Sequence, residues 1–150
     1  MSASDSALVA GTLFPEFALT ASDGRIVTSD DLEGRRLVVF LCAGPAHEPS
    51  AALIVQAAAK VYAEDNAVLV PIARVPHEAW RRFVGRDGLD GAAPLSVGED
   101  TATPFVVEAD GTLWPTLLVV DEAFAIVHAQ RATAPDGSGL DVDAAIAALR

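Results

Sequence analysis

The sequence predicts an α/β protein with a central mixed sheet flanked by helices and a β-hairpin at its N-terminal end. Two continuous apolar runs, residues 37–41 and 68–72, have the length and β-branched content of buried strands. Each run is followed by a segment that opens at a proline and repeats its apolar residues with helical spacing. Strands that alternate with helices in this way predict βαβ units covered on both faces.

The first elements form the hairpin. Residues 17–19 and 26–27 are short apolar segments on either side of Asp23-Gly24, a dipeptide that favours a tight turn. Residues 28–32 then have the composition of a short capped turn. The chain is therefore expected to reach its first central strand through a hairpin and a turn.

The strand, loop and helix of residues 37–63 are where we expect any chemistry. Gly44 and Pro45 interrupt the chain after the strand, and Pro49 opens the helix at a position where its missing N–H costs nothing. Unpaired N–H groups and the helix dipole favour an anion at such an N-terminus. The buried face of this helix is predicted to consist of Leu53, Ile54, Ala57, Ala58, Val61 and Tyr62.

A second helix follows the strand of residues 68–72. It opens at Pro76 and is predicted to end at Gly85, because glycine is the usual residue just after a helix. A loop rich in glycine and aspartate follows over residues 86–93. The inner face of this helix is predicted to consist of Trp80, Phe83 and Val84.

The remaining elements are a short strand, a hairpin and a last helix. Residues 95–97 are a strand candidate, and residues 103–107 fit either a helical turn or an extended piece. Strands at 117–120 and 125–128 form the hairpin, and an amphipathic helix covers residues 141–150. In this last helix Asp141 is the predicted cap, and Val142, Ile146 and Leu149 are the predicted inner face.

Composition excludes several classes of function. The chain has 150 residues and a formal net charge of -11, which disfavours nucleic acid and anionic membrane surfaces as partners. No apolar run approaches the roughly 18 residues that span a bilayer, and the N-terminus lacks the pattern of a signal peptide. We therefore expect one cytoplasmic domain over residues 1–150, with residues 1–10 disordered.

Metal and disulfide chemistry are also disfavoured. Cys42 is the single cysteine, which excludes an internal disulfide, a CxxC redox pair and a cysteine-rich zinc site. His47, His77 and His128 lack the short-range spacing of a helical metal pair, so that only a spatially assembled site stays open. We expect no metal and no cofactor.

Several segments, taken in order, resemble the peroxiredoxin and thioredoxin-like redoxin group. Residues 17–40 are similar to its entry into the core, and residues 75–83 to its helix after the second core strand. Residues 94–97 resemble its next short strand, and residues 114–121 carry the pattern Pro-Thr-x-x-x-x-Asp. The resemblance covers about residues 11–129 and implies a thioredoxin-like fold in which Pro115 follows a cis peptide bond and faces the active-site loop.

The residues that carry the group's activity are changed. Peroxiredoxins have Pro-x-x-x-Thr-x-x-Cys, whose cysteine attacks peroxide from the first helical turn, and these positions fall on Cys42, Ala46 and Pro49. The arginine that they place before the fifth core strand falls at Pro115. On a thioredoxin register the CxxC positions fall near Pro45 and Glu48. The resemblance therefore predicts the fold without its usual thiol chemistry.

Two groups of residues remain as candidates for chemistry. Cys42 is either a small core residue or a relocated redox thiol assisted by Arg74 at the end of the adjacent strand. His47 is either solvent-exposed or a neutral base beside the helix N-terminus, and Glu48 either caps the helix or takes part in acid/base chemistry. The residues expected to shape a pocket around them are Gly44, Pro49, Arg74, Trp114 and Pro115.

Two functions follow from these alternatives. In the first, the protein binds a small molecule or a partner protein in the retained pocket, either as a non-catalytic subunit or as an enzyme of non-redox acid/base chemistry that depends on His47 and Glu48. In the second, Cys42 acts as a one-cysteine peroxidase or oxidoreductase with an external thiol. Homodimerisation is expected from the resemblance, because such proteins often pair through the helix-and-loop face.

Overall fold

The computed structural model describes residues 9–46, 48–64, 66–87, 92–97, 115–133 and 138–149. They form seven strands, three α-helices and one 3₁₀ turn, in the order that the sequence predicts. The strands are β1 (Ala18–Ala21), β2 (Ile26–Thr28), β3 (Arg36–Leu41), β4 (Ala67–Ala73), β5 (Leu95–Ser96), β6 (Thr116–Val120) and β7 (Ile126–Arg131). The helices are α1 (Glu48–Tyr62), α2 (His77–Asp87) and α3 (Val142–Leu149), and the 3₁₀ turn is Ser29–Leu32.

All seven strands belong to one mixed sheet in the order β2-β1-β5-β4-β3-β6-β7. Strand β3 is connected to β4 by α1 and pairs with it in parallel, and β4 pairs in parallel with β5. The hairpin strand β6 returns antiparallel on the other side of β3, and β7 follows it at the edge. The predicted α/β class, mixed sheet and N-terminal hairpin are confirmed.

The two faces of the sheet are covered differently. One face packs against all three described α-helices, in a cluster that includes Phe40, Leu69 and Trp80. The opposite face packs against the N-terminal segment and the 3₁₀ turn, with Phe14 and Leu32 as examples. Within the described residues, helices therefore flank one face only, because aromatic and aliphatic residues before β3 already cover the other.

Helix α3 is fastened to the sheet layer by polar contacts as well as by apolar packing. Arg36 of β3 donates from its guanidinium to the carbonyl of Leu149, and Lys60 of α1 forms an ion pair with Asp143. Just before the first turn of α3, the Asp141 carboxylate accepts the N–H of Ala144 at 3.1 Å, which is the predicted cap.

Several predicted details are wrong. Helix α2 continues through Gly85 to Asp87, and α1 begins at Glu48, one residue before Pro49. Tyr62, predicted on the buried face of α1, is 66% exposed, because it is the last residue of the helix. Residues 1–8 of the segment predicted to be disordered, and the ambiguous segment 103–107, lie outside the described residues.

Gly85 and Gly34 give a matched test of backbone conformation. An added Cβ would meet no atom within 4 Å at either position, but Gly85 is helical whereas Gly34 has a φ of +86°. We expect Gly85→Ala to raise the free energy of unfolding by roughly 0.5–1 kcal/mol. Gly34→Ala should lower it by roughly 1–2 kcal/mol, since alanine is strained at that φ. Urea unfolding of both variants measures the difference, and changes of the same sign would contradict this assignment.

Candidate functional site

Cys42 lies at the end of β3, inside the protein. The residue is 1% exposed, and its N–H donates to the carbonyl of Ile72 at 3.0 Å, which extends the parallel pairing with β4. Burial raises the pKa of the thiol to about 12, and a hydrogen bond from the N–H of Gly44 opposes this rise only in part. The thiol is therefore held in its protonated form at neutral pH, whereas a reactive cysteine needs the thiolate.

Gly44 is the residue that lets the loop after β3 turn closely against the sheet. It has a φ of +115°, and a Cβ there would lie 2.7 Å from Cγ1 of Val75 and 3.8 Å from Cβ of Ala73. Both the positive φ and the close approach require glycine. The loop is thereby held against the C-terminal ends of β3 and β4.

Glu48 and Pro49 form the start of α1 and are both exposed. A carboxylate in the first turn is favourable next to the positive end of the helix dipole, which agrees with a capping role for Glu48. Pro49 has no N–H, so it removes one of the backbone donors that a helix N-terminus offers an anion. Ser50, which follows, is 2% exposed and lies beneath them.

Arg74 and Pro115 complete the predicted residues that the structure describes. Pro115 is buried just before β6 and comes level with Cys42, because Leu41 pairs with Thr116 in the antiparallel ladder. Arg74 is exposed after β4 and is not among the causes of the raised pKa of Cys42. The structure thus places Cys42, Gly44 and Pro115 together in the protein interior, at the end of the sheet where β3 and β4 finish and β6 begins.

The other two candidates, His47 and Trp114, lie outside the described residues. The peptide bond expected to be cis joins Trp114 to Pro115 and lies outside them for the same reason. Their roles, and the assignment of this set as a site, stay predictions.

The structure adds a cavity that the sequence did not indicate. It has a volume of about 230 Å³ and lies between the loop before α1 and one side of α2. The described residues of its lining are apolar except for Arg82, whose guanidinium forms no ion pair with any of the residues in the described ranges. The lining residues are Pro45, Ala46, Ala79, Arg82 and Phe83.

Arg81 and Arg82 are consecutive residues of α2 and lie outside its predicted inner face. Both are exposed, but only Arg82 borders the cavity, because it follows Ala79 by three residues on the side of α2 that meets the loop. The helical phase gives this spacing, but the position of the loop comes only from the tertiary structure. Arg82 is thus a site residue for which the sequence alone held no sufficient signal.

A second cavity, of about 330 Å³, lies at the opposite end of the sheet between β6, β7 and α3. Its cation, Arg36, is bonded to the carbonyl of Leu149, and its lining also includes Asp121 and Glu122. These charges oppose one another and leave the cavity without a clear preference for an ion.

Comparison with family sequence profiles and with curated proteins gave no match. Solved structures do match. A thiol peroxidase from Chromobacterium violaceum superposes with a TM-score of 0.77 at 16% identity over 95% of this chain and 89% of its own. Peroxidoxin BcpB from Mycobacterium tuberculosis gives a TM-score of 0.74 at 18% identity, with 95% and 96% covered. AhpC from the same organism gives 0.74 at 22% identity, with 95% and 91% covered.

These neighbours define the class of the fold. The chain has the thioredoxin-like fold of the peroxiredoxins and thiol peroxidases, and the predicted resemblance to the redoxin group is confirmed at the level of structure. No helix in the described ranges is long and apolar enough to cross a membrane.

The buried thiol of Cys42 predicts a loss of stability in alkali. Its pKa is about 12 in the folded protein against an ordinary value of 9.0, so the unfolded chain releases the proton first as the pH rises. Above that ordinary value, the free energy of unfolding should fall about 1.4 kcal/mol per pH unit more steeply for the wild type than for Cys42→Ala. Urea unfolding across this pH range measures the two slopes. Equal slopes would mean that Cys42 ionises as freely in the folded protein as in the unfolded chain.

Proposed function

We propose that this protein binds an anionic ligand with an apolar body in the cavity beside α1, without thiol peroxidase or disulfide chemistry. The observation that carries the proposal is the guanidinium of Arg82, which has no ion pair among the described residues, at a cavity of about 230 Å³ whose other described lining residues are apolar. The ligand is a small molecule of this chemistry, or an acidic side chain on a partner protein that presents the same groups.

The state of Cys42 supports the absence of thiol chemistry. A thiol with a pKa of about 12 and 1% exposure neither ionises at neutral pH nor meets a peroxide from solvent. The positions that resemble the peroxidase motif hold Ala46 and Pro49, and proline has neither a nucleophilic atom nor a backbone donor. The same burial argues against a one-cysteine peroxidase that acts through Cys42.

The chemistry of the cavity determines the class of ligand. A guanidinium binds a carboxylate in a bidentate geometry, and the charge-assisted bonds are stronger than those between neutral groups. Pro45 and Ala46 of the loop and Ala79 of α2 offer apolar surface to the rest of the ligand. The chain has a net charge of -11, so a cation at the border of an apolar cavity gives the cavity a charge opposite to that of the whole protein.

Further parts of the proposal rest on the sequence and the fold resemblance. His47, between Ala46 of the cavity lining and Glu48 of α1, is the group that would supply acid/base catalysis if the bound ligand is turned over. A cytoplasmic location and homodimerisation through the helix-and-loop face belong to the same proposal.

Benzoate tests the cavity, with benzamide as the neutral analogue of the same shape. We expect benzoate to shift the amide signals of Ala46, Ala79 and Phe83 in ¹H–¹⁵N spectra, because these residues line the cavity. Arg82→Gln should weaken this binding by roughly tenfold or more, since the charge-assisted bonds are lost. Arg81→Gln, on the same helix but outside the lining, is the matched control and should bind as the wild type does. Equal shifts with benzamide, or equal binding by both variants, would contradict the proposal.

Dilute hydrogen peroxide tests the absence of thiol chemistry. We expect the intact mass of the native protein to stay unchanged, because the Cys42 thiol is buried and protonated. After unfolding in urea, the same treatment should add oxygen to Cys42, and Cys42→Ser gives the background. Rapid addition of one oxygen to the native protein would restore the one-cysteine peroxidase and make Arg74 the next residue to replace.

A further inference from the structure

The junction between β7 and α3 contains a closed set of hydrogen bonds around one glutamine. Gln130 accepts the N–H of Asp141 on its Oε1 at 2.6 Å and donates from its Nε2 to the carbonyl of Asp141 at 2.7 Å. The second contact of Nε2 is with Nε2 of His128, at 2.8 Å. One side-chain amide therefore joins the edge strand of the sheet to the residue that caps α3.

The two bonds to Asp141 determine the positions of the oxygen and the nitrogen in the Gln130 amide. The backbone N–H of Asp141 can only donate, so the atom that it meets is the oxygen, and the amino group must then face His128. Nε2 of His128 consequently acts as an acceptor. The imidazole is neutral, with its proton on Nδ1.

We infer that His128, Gln130 and Asp141 form an acid-sensitive latch that holds Asp141, the capping residue of α3, on β7. Protonation of His128 at Nε2 places an N–H donor against the amino group of Gln130, so two donors meet at a distance suited to a donor and an acceptor. Rotation of the amide to offer its oxygen to the imidazolium breaks both bonds to Asp141. Acid therefore releases Asp141, the residue before α3, from β7, and the proton is taken from solvent.

The described segments that pair with β7 carry no charged side chain that would relieve this repulsion between the two donors. The elements that pack against β7 are β6 and α3, and β6 carries only Thr, Leu and Val side chains. Residues 9–14, which pair with the start of β7, have no titratable side chain.

Within the described residues, the charged side chains that could face the imidazole lie on β7, on α3 and on Asp141 before it. On α3, Asp143 forms an ion pair with Lys60 of α1, and the Asp141 carboxylate accepts the N–H of Ala144. Arg131 of β7 pairs with Thr116 and so points to the opposite face from His128, which pairs with Val119.

The other fastenings of α3 are insensitive to the same change. The bond from Arg36 to the carbonyl of Leu149 does not involve His128, Gln130 or Asp141. The ion pair between Lys60 and Asp143 does not involve them either. The latch therefore frees only Asp141, the residue before α3, while these two contacts keep the helix itself attached to β3 and α1.

Amide hydrogen exchange of the full chain, followed by NMR and corrected for intrinsic rates, tests the latch. Between about pH 7.5 and about pH 5 we expect the protection of the Asp141 amide to fall by roughly fivefold or more. The amide of Leu118 in β6 should keep its protection. In His128→Leu, which has no site for the proton, the Asp141 amide should stay protected at both pH values. In Gln130→Ala its protection should be low at both.

Two outcomes would overturn the inference. One is the same pH-dependent loss of protection in His128→Leu as in the wild type, and the other is no loss in the wild type. A second measurement needs no variant: long-range ¹H–¹⁵N spectra of the histidines at about pH 8 should give the Nδ1–H tautomer for His128. The Nε2–H tautomer would equally exclude the latch.

Discussion

The constraint on which the site depends is the complete burial of β3. This strand pairs with β4 on one side and β6 on the other, and its residues from Leu37 onward are buried. A strand enclosed on both faces must be apolar along its length, and Cys42 at its end inherits that environment. The thiol is therefore desolvated by the architecture of the sheet, before any loop or ligand is considered.

The loop after β3 determines where a ligand can bind. Gly44 brings the backbone against Val75 and Ala73, so the loop packs closely over the C-terminal ends of β3 and β4. Beyond it, Pro45 and Ala46 meet the side of α2 and leave the cavity bordered by Arg82. The position that resembles the peroxidatic cysteine is held by Pro49 at the surface, so the cavity and the thiol are separate features of the same region.

Much of the fold could be predicted from the sequence because its signals are local. The buried runs of β3 and β4, the Asp23-Gly24 turn and the Asp141 cap follow from periodicity, turn chemistry and capping, and each is present. Gly85 was misjudged because a glycine signal cannot distinguish a helix end from a helix interior. The Arg82 cavity and the Gln130 latch arise where different elements pack together in the tertiary structure, and neither is encoded in a local pattern.

The ion pair between Lys60 and Asp143 has a consequence for how this protein can be handled. Lys60 is the only lysine in the sequence, and it ties α1 to the first turn of α3. Amine-directed labels, cross-linkers and immobilisation chemistries therefore find one side-chain target, and it lies at the joint between two helices. A reagent that acylates Lys60 removes the charge that Asp143 opposes, so a fluorophore attached there reports on the docking of α3 and also perturbs it. An arginine at that position would keep the charge and remove the target.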